Sequence, residues 1–306
     1  MEFFKSNTRI NFMGLRKWAA LFSVVISLAS IITLCVNGLN WGLEFTGGTE
    51  VRLSFSAPPN LSELRTELGQ AGFNVNNVVV QNYGTTRQVL IRIGSKATQG
   101  GQAVGPRVAA ALPIGHVDST NYIGPVVGKE LATTGALALL VAMLGTAIYI
   151  ALRFEYRLAL SAALALLHDP IIILGVFSFF HMEFDLISLA ALLTIIGYSL
   201  NDTIVVFDRM RENFRKVREA TPSDIVNLSV NQTLSRTIMT SGLTLIAVLA
   251  LFFFGGPVLH GFATALWIGI LVGTYSSIYV AGALAVALGL TREELLPTAK
   301  VVDDRP

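Results

Sequence analysis

The stretch LISLAALLTIIGYSLNDTIVVF, residues 186–207, decides the fold class of this chain. Apart from Asp202 it carries only apolar, hydroxyl and amide side chains. At 1.5 Å per residue, a helix of this length crosses a hydrocarbon core about 30 Å thick. Five similar runs occur, at residues 18–37, 134–152, 158–180, 235–254 and 262–288. The sequence therefore predicts a polytopic α-helical membrane protein with six transmembrane helices.

The composition agrees with this prediction. The 306 residues are 53% hydrophobic and 14% charged, and the mean hydropathy is +0.62. Soluble domains carry about 25% charged residues, so an ordinary soluble enzyme is excluded. The net charge of +2 gives no support for a nucleic-acid partner. Cys35 is the single cysteine and indicates nothing about the redox compartment.

The distribution of Lys and Arg predicts the orientation. Four precede the first span, two separate spans two and three, six separate spans four and five, and three follow the last span. The short loops 181–185 and 255–261 have none. Because cytoplasmic loops are enriched in these residues, we expect both termini in the cytoplasm. The first span is too long for a secretory signal, and we expect it to remain uncleaved.

Four segments follow from this topology. We expect a cytoplasmic N-terminus with the first helix (1–37), a periplasmic domain (38–133), helices two to six (134–290) and a cytoplasmic tail (291–306). The cytoplasmic loop 208–234 lies within the third segment. Its basic first part suits anionic membrane lipids, and Thr221 before Pro222 predicts the start of a new helix.

Residues 38–133 have the pattern of a small α+β domain. Val51, Leu53 and Phe55 alternate with polar residues, which predicts a strand with one buried face. Asn60 predicts a helix start, and further elements are expected at 75–82, 88–93, 97–112 and 115–123. The order β-α-β-β-α-β is that of a ferredoxin-like domain.

Two aspartates, Asp169 and Asp202, lie within predicted spans. A charged Asp at the bilayer centre costs at least about 2.5 kcal/mol, so such residues are usually functional. From the helix rise, Asp202 lies about 7 Å and Asp169 about 16 Å from the cytoplasmic ends of their spans. Thr194, Tyr198 and Asn201 fall near one helical face, and we expect the Asp202 carboxylate to point into the bundle.

The fifth span faces Asp202 with a polar stripe in this interpretation. Its members are Thr233, Arg236, Thr237, Thr240, Ser241 and Thr244. We predict that Asp202 and Arg236 form a proton relay, because approach of an arginine favours the ionised carboxylate and its withdrawal favours the protonated one. Asn201, Asp169, Thr237 and Thr240 are possible supporting residues.

Simpler interpretations stay open for these residues. Asp202 and Arg236 could form a static buried ion pair, or Arg236 could extend to lipid headgroups. Asp169 could bind backbone groups that Pro170 leaves free. His168 is adjacent in sequence to Asp169 and is expected to point to another face, with a relay role as the weaker alternative.

Two glycine-containing patterns predict close packing. The sixth span carries a small residue at every fourth position, and we expect Gly269, Gly273 and Ser277 to pack against another helix. In GLEFTGGT, residues 42–49, we expect Gly42, Glu44, Gly47 and Gly48 to form the junction between the first span and the external domain. The sequence has no nucleotide fingerprint and no zinc-ligand motif, so we expect no cofactor, no metal and no catalytic residue.

Six motifs together resemble a known family. They are GLEFTGGT (42–49), GPVVGKEL (124–131), HDP (168–170), IGYSLNDTIVVFDRMREN (196–213), LSRTIMTS (234–241) and GTYSSIYVA (273–281). Over essentially the whole chain they are similar to the SecF branch of the bacterial SecD/SecF export family. The resemblance implies a non-enzymatic subunit, related to resistance–nodulation–division exporters, that joins SecD in a proton-driven machine. That machine would assist the SecYEG channel and the SecA motor in exporting proteins.

The resemblance also bears on individual residues. It places the family's functional intramembrane aspartate at Asp202 and its arginine at Arg236. Glu44 stands where the family usually has Asp, and Pro170 after Asp169 is a less usual residue there.

Two other functions are compatible with intramembrane aspartates. An intramembrane aspartyl protease needs two carboxylates about 3 Å apart, whereas the depths of Asp169 and Asp202 differ by about 9 Å. A proton-driven exporter of small molecules or lipids would use the same proton chemistry, but the external domain is small for lining such a pathway.

Overall fold

The structure is a computed structural model that describes residues 9–94 and 104–291. Its helices are α1 (Arg16–Asn37), α2 (Leu43–Thr46), α3 (Leu61–Gln70), α4 (Val104–Ala111), α5 (Pro125–Arg153), α6 (Tyr156–Phe179), α7 (Leu186–Lys216), α8 (Pro222–Phe254), α9 (Gly256–Tyr275) and α10 (Gly282–Ala287). Its strands are β1 (Asn40–Trp41), β2 (Gly48–Ser54), β3 (Val78–Tyr83), β4 (Thr85–Gly94), β5 (His116–Ile123) and β6 (Glu183–Phe184).

Six helical segments are long and apolar enough to cross a membrane, which confirms the predicted multi-pass fold. Five of them contain α1, α5, α6, α7 and α8. The sixth, Gly256–Ala287, consists of α9, a π-helical segment at Ser276–Ala281 and α10. Only 11% of the apolar window is buried in the segments containing α1 and α5, so these helices present wide apolar surfaces suited to lipid.

Several helices extend beyond their predicted apolar runs. Helix α5 begins at Pro125, because Gly124 adopts an extended conformation and proline fits the first helical turn. Helix α7 continues through its charged part to Lys216. Helix α8 begins at Pro222, where Thr221 and Asp224 form the reciprocal bonds of a capping box. Hydropathy marks the length that crosses the membrane, whereas caps and proline set the true helix ends.

Strands β2 to β5 form a four-stranded antiparallel sheet with the order β3-β4-β2-β5, which packs with helices α3 and α4. This order is consistent with the ferredoxin-like arrangement. Strand β3 starts later than expected, because residues 75–77 form a 3₁₀ turn. Part of the helix expected at 97–112 lies outside the described residues. The core between the sheet and the helices includes Val51, Leu53, Leu64, Leu68, Val89, Ile91, Ile93 and Val108.

Helix α7 lies at the centre of the bundle, between α6, α8 and α9, and α1 packs on α6. We call the end of the bundle that carries the sheet "the domain end" and the opposite end "the termini end". At the termini end the N-terminal segment is fastened to α8, because the Met13 amide donates to Asn227 Oδ1 at 2.8 Å and the Ile10 amide donates to Asn231 Oδ1 at 2.9 Å.

Candidate functional site

Asp202 lies on α7 within the helical bundle and is 4% exposed. Its Oδ2 atom is buried without a hydrogen-bond partner in the described structure. Neighbouring Asn201 is exposed, so it does not share the carboxylate's face as the sequence pattern suggested. A buried polar atom without a partner is costly, so it calls for an explanation, of which a functional role is one.

Helix α8 supplies the polar surface nearest to this carboxylate. Arg236 and Ser241 both interact with Asp202. No ion pair within 4.0 Å joins Arg236 to Asp202 in the described structure, and the Arg236 side chain is exposed. Thr237 is 1% exposed and its Oγ1 atom also lacks a partner. Asp202 and Arg236 therefore lie apart in the described structure and do not form a direct ion pair.

Two hydrogen bonds hold the helices together around Asp202. The Tyr198 hydroxyl on α7 donates to Thr244 Oγ1 on α8 at 3.3 Å. The hydroxyls of Ser241 on α8 and Thr274 on α9 lie 2.8 Å apart. Thr240 does not take part in this contact, because its hydroxyl donates to the Arg236 carbonyl within α8 at 3.0 Å.

Asp169 has a different environment on α6. It is 2% exposed, and both of its carboxylate oxygens have partners. The hydroxyls of Ser199 on α7 and Ser276 on the π-helical segment donate to Oδ2 at 2.5 and 2.9 Å. His168 Nδ1 lies 2.9 Å from Oδ1, so the expectation that His168 points to another face is wrong.

The partners of Asp169 connect three transmembrane segments. They join α6 to α7 and to the π-helical segment, and Asp202 is not among them. Asp169 therefore has the contacts of a structural cross-link, and the two aspartates do not form the close dyad that an aspartyl protease requires.

The small residues of the sixth span face α7. A Cβ atom on Gly273 would lie 2.9 Å from Ser199 Cβ, and one on Gly269 would overlap the Ile195 side chain. Ser277 is fully buried, and its hydroxyl donates to the Thr274 carbonyl at 3.0 Å. Close approach of α9 to α7 therefore brings Ser276 within reach of Asp169.

The junction glycines lie where the sheet domain meets the bundle. Gly47 and Gly48 have φ angles of +66° and +134°, which residues with a Cβ rarely adopt. A Cβ on Gly47 would lie 3.0 Å from Pro125 Cα, and one on Gly128 would lie 2.9 Å from the Gly47 nitrogen. The motifs at 42–49 and 124–131 thus form one contact. Glu44 lies in α2 beside Gly42, and burial raises the pKa of its carboxyl.

Comparison with known proteins identifies this architecture. The family model described as protein export membrane protein SecD/SecF, C-terminal, matches residues 109–291, and the SecD/SecF GG motif matches residues 32–59. This chain belongs to the SecD/SecF family. The protein translocase subunit SecF of Vibrio alginolyticus is 50% identical over 301 residues, covering 97% of this chain and 95% of that protein. The corresponding subunit of Escherichia coli O157:H7 is 45% identical over 94% of this chain and 90% of its own length.

SecDF structures match the same family fold. The crystal structure of SecDF from Thermus thermophilus superposes with a TM-score of 0.84 at 36% identity, covering 93% of this chain. A SecDF structure in a super-membrane-facing form gives a TM-score of 0.63 at 35% identity, covering 92% of this chain. This chain spans 39% of each of those longer chains.

The sequence pattern did not identify the two serines that bond to Asp169. Ser199 and Ser276 lie in motifs that carry the family resemblance, but neither serine was assigned a role from the sequence. The sequence carried no signal for Glu183 and Arg92, whose side chains bond at the domain end.

Proposed function

We propose that this chain is the SecF-type subunit of a protein translocase, which joins a SecD-type partner and uses the proton gradient to promote protein export. The names of its full-length relatives support this proposal over export of small molecules or lipids. The Thermus thermophilus structure is described as a translocon-associated membrane protein. Contact with a SecYEG channel and a SecA motor belongs to the same proposal.

The proposed orientation follows the distribution of positive charge. Both termini and the loop 208–234 face the cytoplasm of the inner membrane, and the sheet domain lies outside. The chain itself acts without enzymatic chemistry, so the energy for export enters as proton movement. In the proposed orientation, Asp202 lies within the membrane and the sheet domain lies on the side where exported proteins emerge.

The observation that carries the proposal is the buried Asp202 carboxylate, whose Oδ2 atom has no hydrogen-bond partner in the described structure. A carboxylate whose two oxygens both have partners, as in Asp169, is instead suited to holding helices together. Asp202 can bind a proton when Arg236 is distant and release it when the guanidinium approaches, because a nearby positive charge favours the ionised form. The polar atoms of Thr237 and Ser241 lie on the α8 face that would accommodate this movement.

The test is protein export in inverted membrane vesicles, normalised to the amount of complex assembled with the SecD-type partner. Asp202→Asn keeps the size of the side chain but cannot ionise, so we expect export to lose its response to the gradient. Arg236→Lys keeps the charge but loses the planar fork, so we expect a partial response. Asp208→Asn is the matched control, because this exposed aspartate on the same helix pairs with Arg153.

Two outcomes would contradict the proposal. A normal gradient response in Asp202→Asn would remove this residue as the proton carrier. Recovery of activity in a double variant of Asp202→Asn with Arg236→Gln would show that the two residues act as a static pair.

A further inference from the structure

The sheet has a charged face that is covered by the bundle. Val51 and Leu53 point toward the helices α3 and α4, whereas Glu50 and Arg92 point to the opposite face. Charged side chains on such a face normally contact water. Glu50 and Arg92 are nevertheless only 7% exposed. The domain end of the bundle therefore shields this face.

Arg92 on β4 bonds directly to the bundle. Its guanidinium forms an ion pair with Glu183, which lies in β6 between α6 and α7. Strand β6 pairs in parallel with β1, and the Gly42 amide donates to the Phe184 carbonyl at 2.9 Å. The segment that leads from α1 into the sheet domain thus positions Glu183 so that its carboxylate faces Arg92.

The covalent attachments of the domain lie together. The chain enters the sheet through Gly47 and leaves it toward Pro125, and these two residues are in contact. Arg92 and Glu183 instead join parts of the chain that are separated by 91 positions. The domain can therefore turn about its covalent attachment when the Arg92–Glu183 contact opens. This contact contributes to how tightly the domain rests on the bundle, beside the packing of the Gly84 turn against Pro257.

Negative charge is in excess around Glu183 when the sheet domain contacts the bundle, a state that we call docked. Four carboxylates face two guanidinium groups in and around a cavity of about 490 Å³. The titratable and charged groups that face Glu183 are Glu44 from α2, Glu50 and Arg52 from β2, Tyr83 from β3, Arg92 from β4, Tyr122 from β5, Asp185 before α7 and His260 from α9. Carboxylates brought together in a partly desolvated space favour protonation of one of them.

We propose that Glu183 and Arg92 form an acid-stabilised clamp, in which proton uptake by Glu183 holds the sheet domain against the membrane bundle and proton loss loosens it. The protonated carboxyl still accepts a hydrogen bond from Arg92 and no longer repels Glu44, Glu50 and Asp185. The clamp acts on the domain rather than at Asp202, and it rests on the proposed function only for the side of the membrane that it faces.

The titration of Glu183 supports this clamp. Burial raises the pKa of its carboxyl from 4.5 to about 7; Arg92 opposes this shift, and Glu50, Asp185 and Glu44 add to it. In an open state exposed to water, the pKa would return toward its ordinary value. A group whose pKa is higher in the docked state binds its proton more tightly there. Docking therefore strengthens as the pH falls through 7, and the ratio of docked to open molecules rises about tenfold between pH 8 and pH 6.

Hydrogen exchange of the full chain in lipid nanodiscs measures this opening. The reporter is the Gly42 amide, which donates to the Phe184 carbonyl. Arg92 bonds both to Glu183 in β6 and to the Trp41 carbonyl in the linker, so its departure loosens the pairing of these two segments and exposes this amide. After correction for the intrinsic pH dependence of exchange, we expect its protection to rise about tenfold from pH 8 to pH 6. The Ile91 amide, in the central strand β4, is the internal reference and should show no such rise.

Variants assign the effect to Glu183. Glu183→Gln stays neutral in both the docked and the open state, so at pH 8 it should give at least the protection that the unmodified protein shows at pH 6, with no further pH response. Glu67→Gln changes an exposed carboxylate on α3 and should leave the response intact. Asp202→Asn should also leave it intact, so that failure of the clamp and failure of the intramembrane proton site are distinguished.

Three results would overturn the clamp. They are protection of the Gly42 amide that does not change with pH, protection that rises with increasing pH, and a full pH response in Glu183→Gln. The titration of the unmodified protein decides the question even if the glutamine variant fails to fold.

Discussion

The Ser199 hydroxyl on α7 donates to the Asp169 carboxylate on α6 at 2.5 Å, one helical turn from Asp202. This contact separates the roles of the two intramembrane aspartates. Asp169 is held by partners from two other segments, whereas the Oδ2 atom of Asp202 has none. The first carboxylate therefore fixes α7 in the bundle, and the second is left available for exchange with a proton.

This difference predicts opposite effects on stability. Asp169→Ala removes the acceptor of the Ser199 and Ser276 hydroxyls and the partner of His168 Nδ1, and we expect a loss of about 2–3 kcal/mol. Asp202→Ala removes a carboxylate whose Oδ2 atom has no hydrogen-bond partner in the described structure, and we expect a smaller loss, of about 1 kcal/mol or less. Thermal unfolding in one detergent would compare the two variants. Equal destabilisation would contradict the separation of roles.

The contact of α9 with α7 makes a second prediction. Gly273→Ala places a methyl group 2.9 Å from Ser199 Cβ, and overpacking of this kind costs about 1–3 kcal/mol. The control is Gly145→Ala on α5, where nothing lies within 4 Å. That control should be neutral or stabilising, since alanine favours a helix by about 1 kcal/mol over glycine. The thermal midpoints of the two variants should move in opposite directions or differ clearly, and similar midpoints would exclude the packing role.

The membrane fold was predictable because its signals are local. Hydropathy located all six spans, and Thr221 with Pro222 marked the start of α8. The alternation around Val51 identified a strand whose inner face contributes to the domain core. Each of these features depends on neighbouring residues that act through solvent transfer, capping or side-chain alternation.

The site was predictable only in part, because its contacts join distant positions. Asp169 bonds to residues 30 and 107 positions away, and no local pattern couples a serine to an aspartate over such distances. The expected approach of Arg236 to Asp202 rested on estimated depth alone. Depth leaves the direction of a long side chain open, and the structure places Arg236 at the surface.

The junction glycines give a third prediction. Gly48→Ala combines a φ of +134° with a Cβ 2.5 Å from the Ile93 carbonyl oxygen, so both the backbone and the strand pairing are strained. Gly38→Ala has a φ of +67° but nothing within 4 Å. Placing a residue with a Cβ at such a positive φ angle alone reduces the stability of the fold by about 1–3 kcal/mol. We expect Gly48→Ala to prevent accumulation of the folded protein and Gly38→Ala to reduce it modestly. Equal yields would show that the close contact contributes nothing.

The proposed orientation gives the last prediction, which concerns labelling of single cysteines in intact cells. Cys35 is replaced by serine first, because it is exposed on α1. A cysteine at Asn77 in the sheet domain should then react with a membrane-impermeant maleimide from outside, since the domain faces away from the cytoplasm. A cysteine at Lys216, at the end of α7, should react only after permeabilisation. Labelling of Lys216→Cys in intact cells, with Asn77→Cys protected, would invert the topology and place the Glu183 clamp on the cytoplasmic side.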